Sequence, residues 1–324
     1  MTDPTRRLGP VVRLAPAKLN LTLAIVGRRS DGFHALHSVM IPLALADRLS
    51  VAVLPAGEDT LHATGFDPGP PETNLVMRAI DGVRRAVRGS GTATLPLAAR
   101  LDKQIPVAAG LAGGSSDAAA AIDAALEAWG AELAPERHAD LAAALGSDVP
   151  FFLVGGPALV EGRGERLTPL HGIRGDEQPG FLLVTPSVPT RTADVFAAWA
   201  AGAMAEPGVA RRTSEHFASE FGSGLSCRQF IERAGVLASA NDLLPAAASI
   251  VPGLVPLRRA LTRLLGRPIG LSGSGPTLWA LYPSLEAAEE AATTVRSAVE
   301  DGTIPSPGER PPFIAATTMQ RSVS

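Results

Sequence analysis

The chain has 324 residues, 29 Lys and Arg against 32 Asp and Glu, a net charge of −3, and 46% hydrophobic residues. That balance excludes a nucleic-acid footprint, which needs a clustered basic excess, and the one cysteine, Cys227, excludes a disulfide framework and a cysteine zinc site. The 33 glycines and 28 prolines are about a fifth of the chain, below the share that marks low complexity, so a folded chain of roughly two domains is expected.

In chain order, the first 55 residues read as strands. Leu19, Leu21, Leu23 and Ile25 alternate at period two, residues 27–32 carry turn chemistry, and 39–45 and 49–54 follow as separate strands. Residues 59–73 read as a Gly/Pro-rich loop. Asn74 is then a good N-cap for a helix carrying Leu75, Ala79, Ile80, Val83 and Val87. A strand at 95–101 leads into a glycine-rich string whose tail becomes an alanine-rich helix to about Trp129. Pro135 heads a helix over 135–145, and 158–161 is a strand. Beyond Gly175 the pattern predicts a strand at 181–185, a helix at 193–203 and a patternless, mobile loop at 207–226. A helix at 254–265 ended by Gly266, strands at 269–271 and 277–282, a helix at 285–299 and a strand at 313–317 complete the chain. This alternation, with its hairpin signals, predicts an α+β fold of two domains, 1–170 and 171–324.

Arg6 and Arg7 have no apolar run behind them, so no secretory signal is expected. The longest apolar stretch, 243–257, is broken by Pro245, Pro252 and Pro256 and is too short to span a bilayer. A cytoplasmic protein with no membrane or nucleic-acid partner is expected, as a monomer or weak homodimer.

The string Pro106, Val107, Ala108, Ala109, Gly110, Leu111, Ala112, Gly113, Gly114, Ser115, Ser116 stands directly before a helix. Glycines admit a close ligand, and the N–H groups and positive dipole end of a helix start attract anions. Phosphate binding is therefore expected, the alternative being a glycine-rich helix start with a serine cap. No Gly-Lys-Ser/Thr occurs, and Gly162-Arg-Gly164 and Gly273-Ser-Gly275 both lack the third glycine of a dinucleotide fingerprint.

Asp148 lies in Gly-Ser-Asp-Val-Pro, where Pro150 biases Val149 towards extended geometry. A carboxylate held there could take a proton from a substrate hydroxyl, although spacing alone favours an ordinary turn aspartate. Only two basic residues are lysines, Lys18 and Lys103. Alternation puts Lys18 and Asn20 on the face opposite Leu19 and Leu21, where solvent is the commonest environment. His34 follows Asp31-Gly-Phe33 at a hairpin turn, and no histidine shows metal-ligand spacing. No Gly-x-Ser-x-Gly hydrolase elbow occurs.

Together these strings resemble one superfamily. Pro106 to Ala119 is similar to the phosphate loop of the GHMP kinases, and Leu271-Ser-Gly-Ser-Gly-Pro276 to their third motif. Ala15-Pro-Ala-Lys-Leu-Asn-Leu21, Arg29-Ser-Asp-Gly-Phe-His34 and Gly146-Ser-Asp-Val-Pro-Phe-Phe152, with Asn241-Asp-Leu243, narrow the resemblance to the 4-diphosphocytidyl-2-C-methyl-D-erythritol kinases of the non-mevalonate (methylerythritol phosphate) isoprenoid pathway. The likeness is dense over 13–165 and returns at 241–282.

The resemblance implies a two-domain GHMP kinase fold with an N-terminal ATP-binding, catalytic domain, a C-terminal α+β substrate domain, and the active site in the cleft between them. It implies ATP and Mg²⁺ as cofactors, with the Mg²⁺ ligands unassigned, and a cytidyl diphosphate-linked polyol as substrate. The loop from Pro106 to Ser116 would cradle the ATP phosphates, with Asn74 and Leu75 by the adenine. Asp148 would be the base for the 2-hydroxyl and Lys18 its charged partner. Asn20 and His34 would meet the cytidine or diphosphate end, and Phe33 and Phe196, four residues after Thr192, would sandwich the cytosine. Gly273, Ser274 and Gly275 would lie on the substrate side.

Two departures stand out. Ala108, Ala109 and Ala112 occupy positions where many members have glycine, so a positive φ there would weaken the match, and Phe33 replaces the more usual tyrosine. The alternatives are another GHMP kinase, of homoserine or mevalonate type, or a GHMP-fold nucleotide binder without catalysis. Lys18→Arg is expected to be far more damaging than Lys103→Arg, because a guanidinium is a poor substitute for a compact ammonium.

Overall fold

A computed structural model of the chain describes residues 9–30, 32–88, 91–202 and 209–320; the sequence readings at 1–8, Asp31, Ala203 and 207–208 lie outside the described residues. In order, the first elements are β1 (Val11–Asn20), β2 (Ala24–Arg28), β3 (His34–Val53), β4 (Thr60–Gly65), α1 (Leu75–Ala86), β5 (Leu97–Lys103), α2 (Gly113–Trp129), α3 (Pro135–Leu145) and α4 (Val149–Phe152). There follow β6 (Ala158–Gly162), β7 (Arg166–Pro169), β8 (Ile173–Arg174), β9 (Gly180–Thr185), α5 (Thr192–Ala201), α6 (Val209–Gly222), β10 (Leu225–Ser226), α7 (Cys227–Glu232) and α8 (Ala234–Leu237). The last are α9 (Leu244–Ile250), α10 (Leu254–Leu265), β11 (Gly270–Leu271), β12 (Leu278–Tyr282), α11 (Leu285–Glu300) and β13 (Phe313–Thr318). The α+β class expected from the sequence is the class observed.

The chain forms two compact units. One comprises the segment up to Ala17 with residues 46–107 and 113–153, the other Lys18–Leu45, Ala108–Ala112 and the chain from Val154 onwards. Neither is continuous in sequence, whereas the sequence reading set one boundary at residue 170. The reason is local: β3 and the stretch around Gly110 each pass from one unit to the other.

In the first unit, β5 pairs antiparallel with the second half of β3 (Leu49 opposite Leu101) and parallel with β4 (Leu61 opposite Ala99). The polar, largely exposed edge strand β4 replaces part of the loop expected at 59–73, because its alternation has little apolar contrast. The Asn74 side chain accepts from the Val76 N–H at 2.9 Å, which caps α1, as expected. Val76, Ala79, Ile80 and Val83 form the buried face of α1 and pack on α2, whose buried residues are mostly alanine. Small side chains let the two helix backbones approach closely.

In the second unit, β2, the first half of β3, β6 and β7 form antiparallel pairs, with a bulge in β2 between Ile25 and Gly27. A second antiparallel sheet runs β11-β12-β9-β13, and α11 packs against it. Between them, Leu182, Val184, Leu257, Leu271, Leu278 and Val295 contribute to one apolar core.

Three expectations are corrected. The alternation at 19–25 is not one strand, since β1 ends at Asn20 and β2 begins at Ala24. The separate strands at 39–45 and 49–54 are one 20-residue strand, β3, running unbroken through the buried Asp47. The mobile loop at 207–226 is helical over α6. Its buried face is Ala210, Ser214, Phe217, Ala218 and Phe221, so small residues at three of five positions concealed the helical period. Ser214 Oγ lies 2.7 Å from Thr22 Oγ1 and 2.8 Å from His37 Nδ1, which docks α6 on its own unit. No helix among the described residues is long and apolar enough to cross a membrane.

Candidate active site

Within the second unit, successive carbonyls of the glycine-rich loop are hydrogen-bonded. Ala108 O accepts from the Thr190 N–H at 3.3 Å, Ala109 O from the Thr277 N–H at 3.3 Å, and Leu111 O from the Lys18 N–H at 3.0 Å. Gly110 O accepts two bonds, from Lys18 Nζ at 2.9 Å and from Ser272 Oγ at 3.0 Å. In a trans peptide the C=O and the following N–H point in opposite directions. Tying the carbonyls of 108–111 to the body of the unit therefore turns the amides of 109–112 the other way, the geometry of an anion cradle.

This arrangement requires glycine at two positions. A Cβ on Gly110, whose φ is +78°, would collide with the Ser272 carbonyl, and one on Gly273, at φ +57°, would come within 3.1 Å of Lys18 Nζ. Ala108 and Ala112 also take positive φ, +54° and +55°, at a steric cost of about 1–2 kcal/mol each. Two of the three alanines therefore occupy the conformation that glycine prefers, the departure that the sequence raised.

The solvent-facing role common for residues like Lys18 and Asn20 is not what the fold provides. Lys18 is 4% exposed and Asn20 2% exposed, and Lys18 Nζ donates to Asn20 Oδ1 at 2.6 Å. Both faces of this strand end are buried, so alternation could not distinguish core from site. Asn241 Nδ2 donates to the carbonyls of Leu271 and Gly273, both at 2.9 Å, and holds the third glycine string in place. Thr192 Oγ1 and Ser274 Oγ lie 3.1 Å apart.

In the first unit, Gly113, Gly114, Ser115 and Ser116 form the opening turn of α2 instead of a loop ahead of it. The first amides of a helix have no intrahelical acceptor, so this turn offers free N–H groups at the positive end of the α2 dipole. Leu75 Cδ1 would lie 3.8 Å from a Cβ on Gly114, so the head of α1 adjoins this turn. Asn74, expected by the adenine, directs its side chain into capping α1.

Beneath the turn lies a buried ion cluster. Lys103 Nζ donates to Asp47 Oδ2 and, at 2.7 Å, to Asp117 Oδ2, while Asp47 Oδ1 accepts from the Gln104 and Ile105 N–H groups at 2.6 and 2.8 Å. Asp117 Oδ1 and the neighbouring Ser116 Oγ are buried without a hydrogen-bond partner. Burial pushes the Asp117 carboxyl up to about 7, Lys103 opposing and Asp47 adding to the shift.

Asp148 heads the short helix α4 with φ −90° and ψ −9°, and its side chain makes no cap bond. Val149 is helical, not extended as Pro150 led us to expect, because the proline sits in the first helical turn where it needs no N–H partner. A Cβ on Gly146 would lie 3.9 Å from Ser115 Oγ, so this turn runs beside the head of α2.

The aromatic residues gather in the second unit. The His34 ring stacks on Phe196 at 5.6 Å and meets Trp199 edge-on at 5.1 Å. Burial, with the Arg28 charge adding, lowers the His34 pKa. Phe33 is half exposed, with the Arg163 guanidinium 5.4 Å from its ring centre.

Family models for the GHMP kinases N terminal domain and the GHMP kinases C terminal domain match residues 74–156 and 225–301. A 4-diphosphocytidyl-2-C-methyl-D-erythritol kinase of Pelotomaculum thermopropionicum is 36% identical over 88% of this chain and 94% of its own length. Another, from an Anaeromyxobacter species, is 38% identical over 95% and 92%. The chain belongs to the 4-diphosphocytidyl-2-C-methyl-D-erythritol kinase family. A solved member of this kinase family aligns over 96% of the chain and all of its own, at 31% identity and a TM-score of 0.67. A homoserine kinase from Cytophaga hutchinsonii, 18% identical, aligns over 98% of this chain and 97% of its own with a TM-score of 0.66, a likeness of fold alone. Family membership as a cytidyl-diphosphate polyol kinase thus holds with two loop alanines at positive φ.

Sequence reasoning missed Trp199, Asp47 and Asp117. Thr192, Phe196 and Trp199 fall on one helical face, a signal that could have found the tryptophan. Asp47 had a weaker signal, as one acidic residue between two apolar runs that the structure joins.

The buried cluster gives Lys103 a structural role that the sequence did not indicate. Its side chain is 2% exposed between two carboxylates, so Lys103→Arg should overpack the site and cost about 1–3 kcal/mol, read as a lower urea midpoint; wild-type stability would contradict this. Because folding raises the Asp117 pKa from 3.8 to about 7, its contribution to stability declines as pH rises through that window. In urea titrations at pH 5 and pH 8, Asp117→Asn should remove part of the wild-type decline, and an unchanged pH dependence would contradict the assignment.

Proposed function

We propose that the protein transfers the γ-phosphoryl group of ATP to the 2-hydroxyl of 4-diphosphocytidyl-2-C-methyl-D-erythritol, in the methylerythritol phosphate route to isoprenoids. The observation that carries this reading is the inward anchoring of the carbonyls at 108–111, which leaves a run of amides facing the opposite way at the approach to α2. Phosphoryl transfer depends mainly on positioning and charge neutralisation, and such a run supplies both to a polyphosphate.

Lys18, held by Gly110 O and Asn20 Oδ1, adds a fixed ammonium to the loop. Asp148, at the head of α4, orients the substrate hydroxyl and accepts its proton. Mg²⁺, when bound with ATP, neutralises charge on the phosphates. Its own preference is for oxygen donors, and the buried, unpartnered Ser116 Oγ at the head of α2 fits that preference.

At the other end of the substrate, an uncharged imidazole offers one donor and one acceptor to a nucleobase edge. The lowered His34 pKa supports that role, the half-exposed Phe33 ring offers a stacking face, and Phe196 and Trp199 hold the imidazole in place. A homoserine or mevalonate kinase has no use for such a patch.

Coupled ADP release tests the reading, with the cytidyl alcohol, homoserine and mevalonate as acceptors. Only the cytidyl alcohol should support turnover, Asp148→Ala should lower kcat by about 10²–10⁴-fold with ATP binding largely kept, and Lys18→Ala and Lys18→Arg should also be severely impaired. Near-normal kcat in Asp148→Ala would sink the base assignment. Background ADP release with every alcohol, despite tight nucleotide binding, would favour the non-catalytic reading.

A further inference from the structure

The Lys18 ammonium has only protons to give, so its neighbour Asn20 serves it only by presenting Oδ1 and not Nδ2. What decides that choice lies one strand away. Ser38, on β3 and fully buried, has a single hydroxyl proton, and Ser38 Oγ lies 2.5 Å from the carbonyl oxygen of Thr22, to which it donates. With its proton so directed, Ser38 Oγ acts towards Asn20 as an acceptor, and Asn20 Nδ2 donates to it at 2.8 Å. The amide is thereby oriented with Oδ1 at 2.6 Å from Lys18 Nζ. Turning it over would set an NH₂ against the ammonium and a carbonyl oxygen against a hydroxyl whose proton is already engaged.

Thr22 is buried as well and is itself held, its Oγ1 accepting from the Val39 N–H at 2.9 Å. The direction of every bond from Thr22 O to Lys18 therefore follows from one hydroxyl. We propose that Ser38 is a positioning residue for phosphoryl transfer, fixing the Asn20 amide so that Lys18 stays on the Gly110 carbonyl. The inference rests on Lys18 serving the reaction, as argued above.

Threonine and valine at position 38 have nearly the same volume and differ in the hydroxyl, so comparing them separates hydrogen bonding from packing. Ser38→Thr, Ser38→Val and the smaller Ser38→Ala are assayed by coupled ADP release, beside Lys18→Ala, with melting temperatures measured for each. Ser38→Thr should keep kcat within a few-fold of wild type. Ser38→Val and Ser38→Ala should lower kcat by about ten- to a hundredfold, as loss of catalytic alignment does, with KM for ATP nearly unchanged. Equal kcat for the threonine and valine variants would overturn the proposal, as would a loss in Ser38→Ala that appears in KM and melting temperature alone. Wild-type turnover in Lys18→Ala would show instead that the reading beneath it fails.

Discussion

The carbonyl oxygen of Gly110 accepts from both the Lys18 ammonium and the Ser272 hydroxyl, and the local architecture around the loop depends on that convergence. An ammonium and a hydroxyl can meet at one carbonyl only if no side chain stands between the strands that carry them. Gly110 and Gly273 meet that condition, and a Cβ at either would crowd the convergence. The remaining loop carbonyls follow suit through backbone bonds to Thr190, Thr277 and Lys18. Positive φ at Ala108 and Ala112 is the local cost, and hydrogen bonds to the loop from Lys18 of β1, from Thr190 ahead of α5 and from Ser272 and Thr277 between β11 and β12 hold it in that conformation.

The two lysines of the chain are both buried, in different settings. Lys18 donates to a carbonyl and an amide oxygen, those of Gly110 and Asn20. Lys103 sits between two carboxylates. Removing one member of such a cluster leaves buried charge uncompensated, which makes the cluster costly to disturb even where it adds little net stability. Its placement joins the end of β5 to the first turns of α2, so the helix head that carries Ser115 and Ser116 has a fixed base.

Much of this was legible in the residues. Asn74 as a cap, the helix over α1, the alanine-rich α2 and the glycine strings at 110–114 and 273–275 all carry signals that act over a few positions. What was hidden depended on distant partners. Asp47 reads as a break in an apolar run until its acceptors' partners on Gln104 and Ile105, far along the chain, are seen. Ser214 and the small residues beside it conceal the helical period of α6, because a packed face of Ala and Ser looks polar in sequence. Lys18 and Asn20 alternate correctly with Leu19 and Leu21, yet burial of both faces removes the contrast on which alternation relies. The interleaved course of the two units follows from several crossings of the chain, one of them within the long strand β3, which no local signal announces.

The proposed function rests most directly on the amides of 109–112, turned outward by the anchored carbonyls, as phosphate donors. Amide ¹H,¹⁵N resonances followed during titration with ATP test it most directly. The account predicts the largest changes at Ala109 to Gly114, with the amide protons moving downfield as they bond to phosphate oxygens. Saturation with ATP that leaves those amides unmoved, while resonances elsewhere respond, would contradict it.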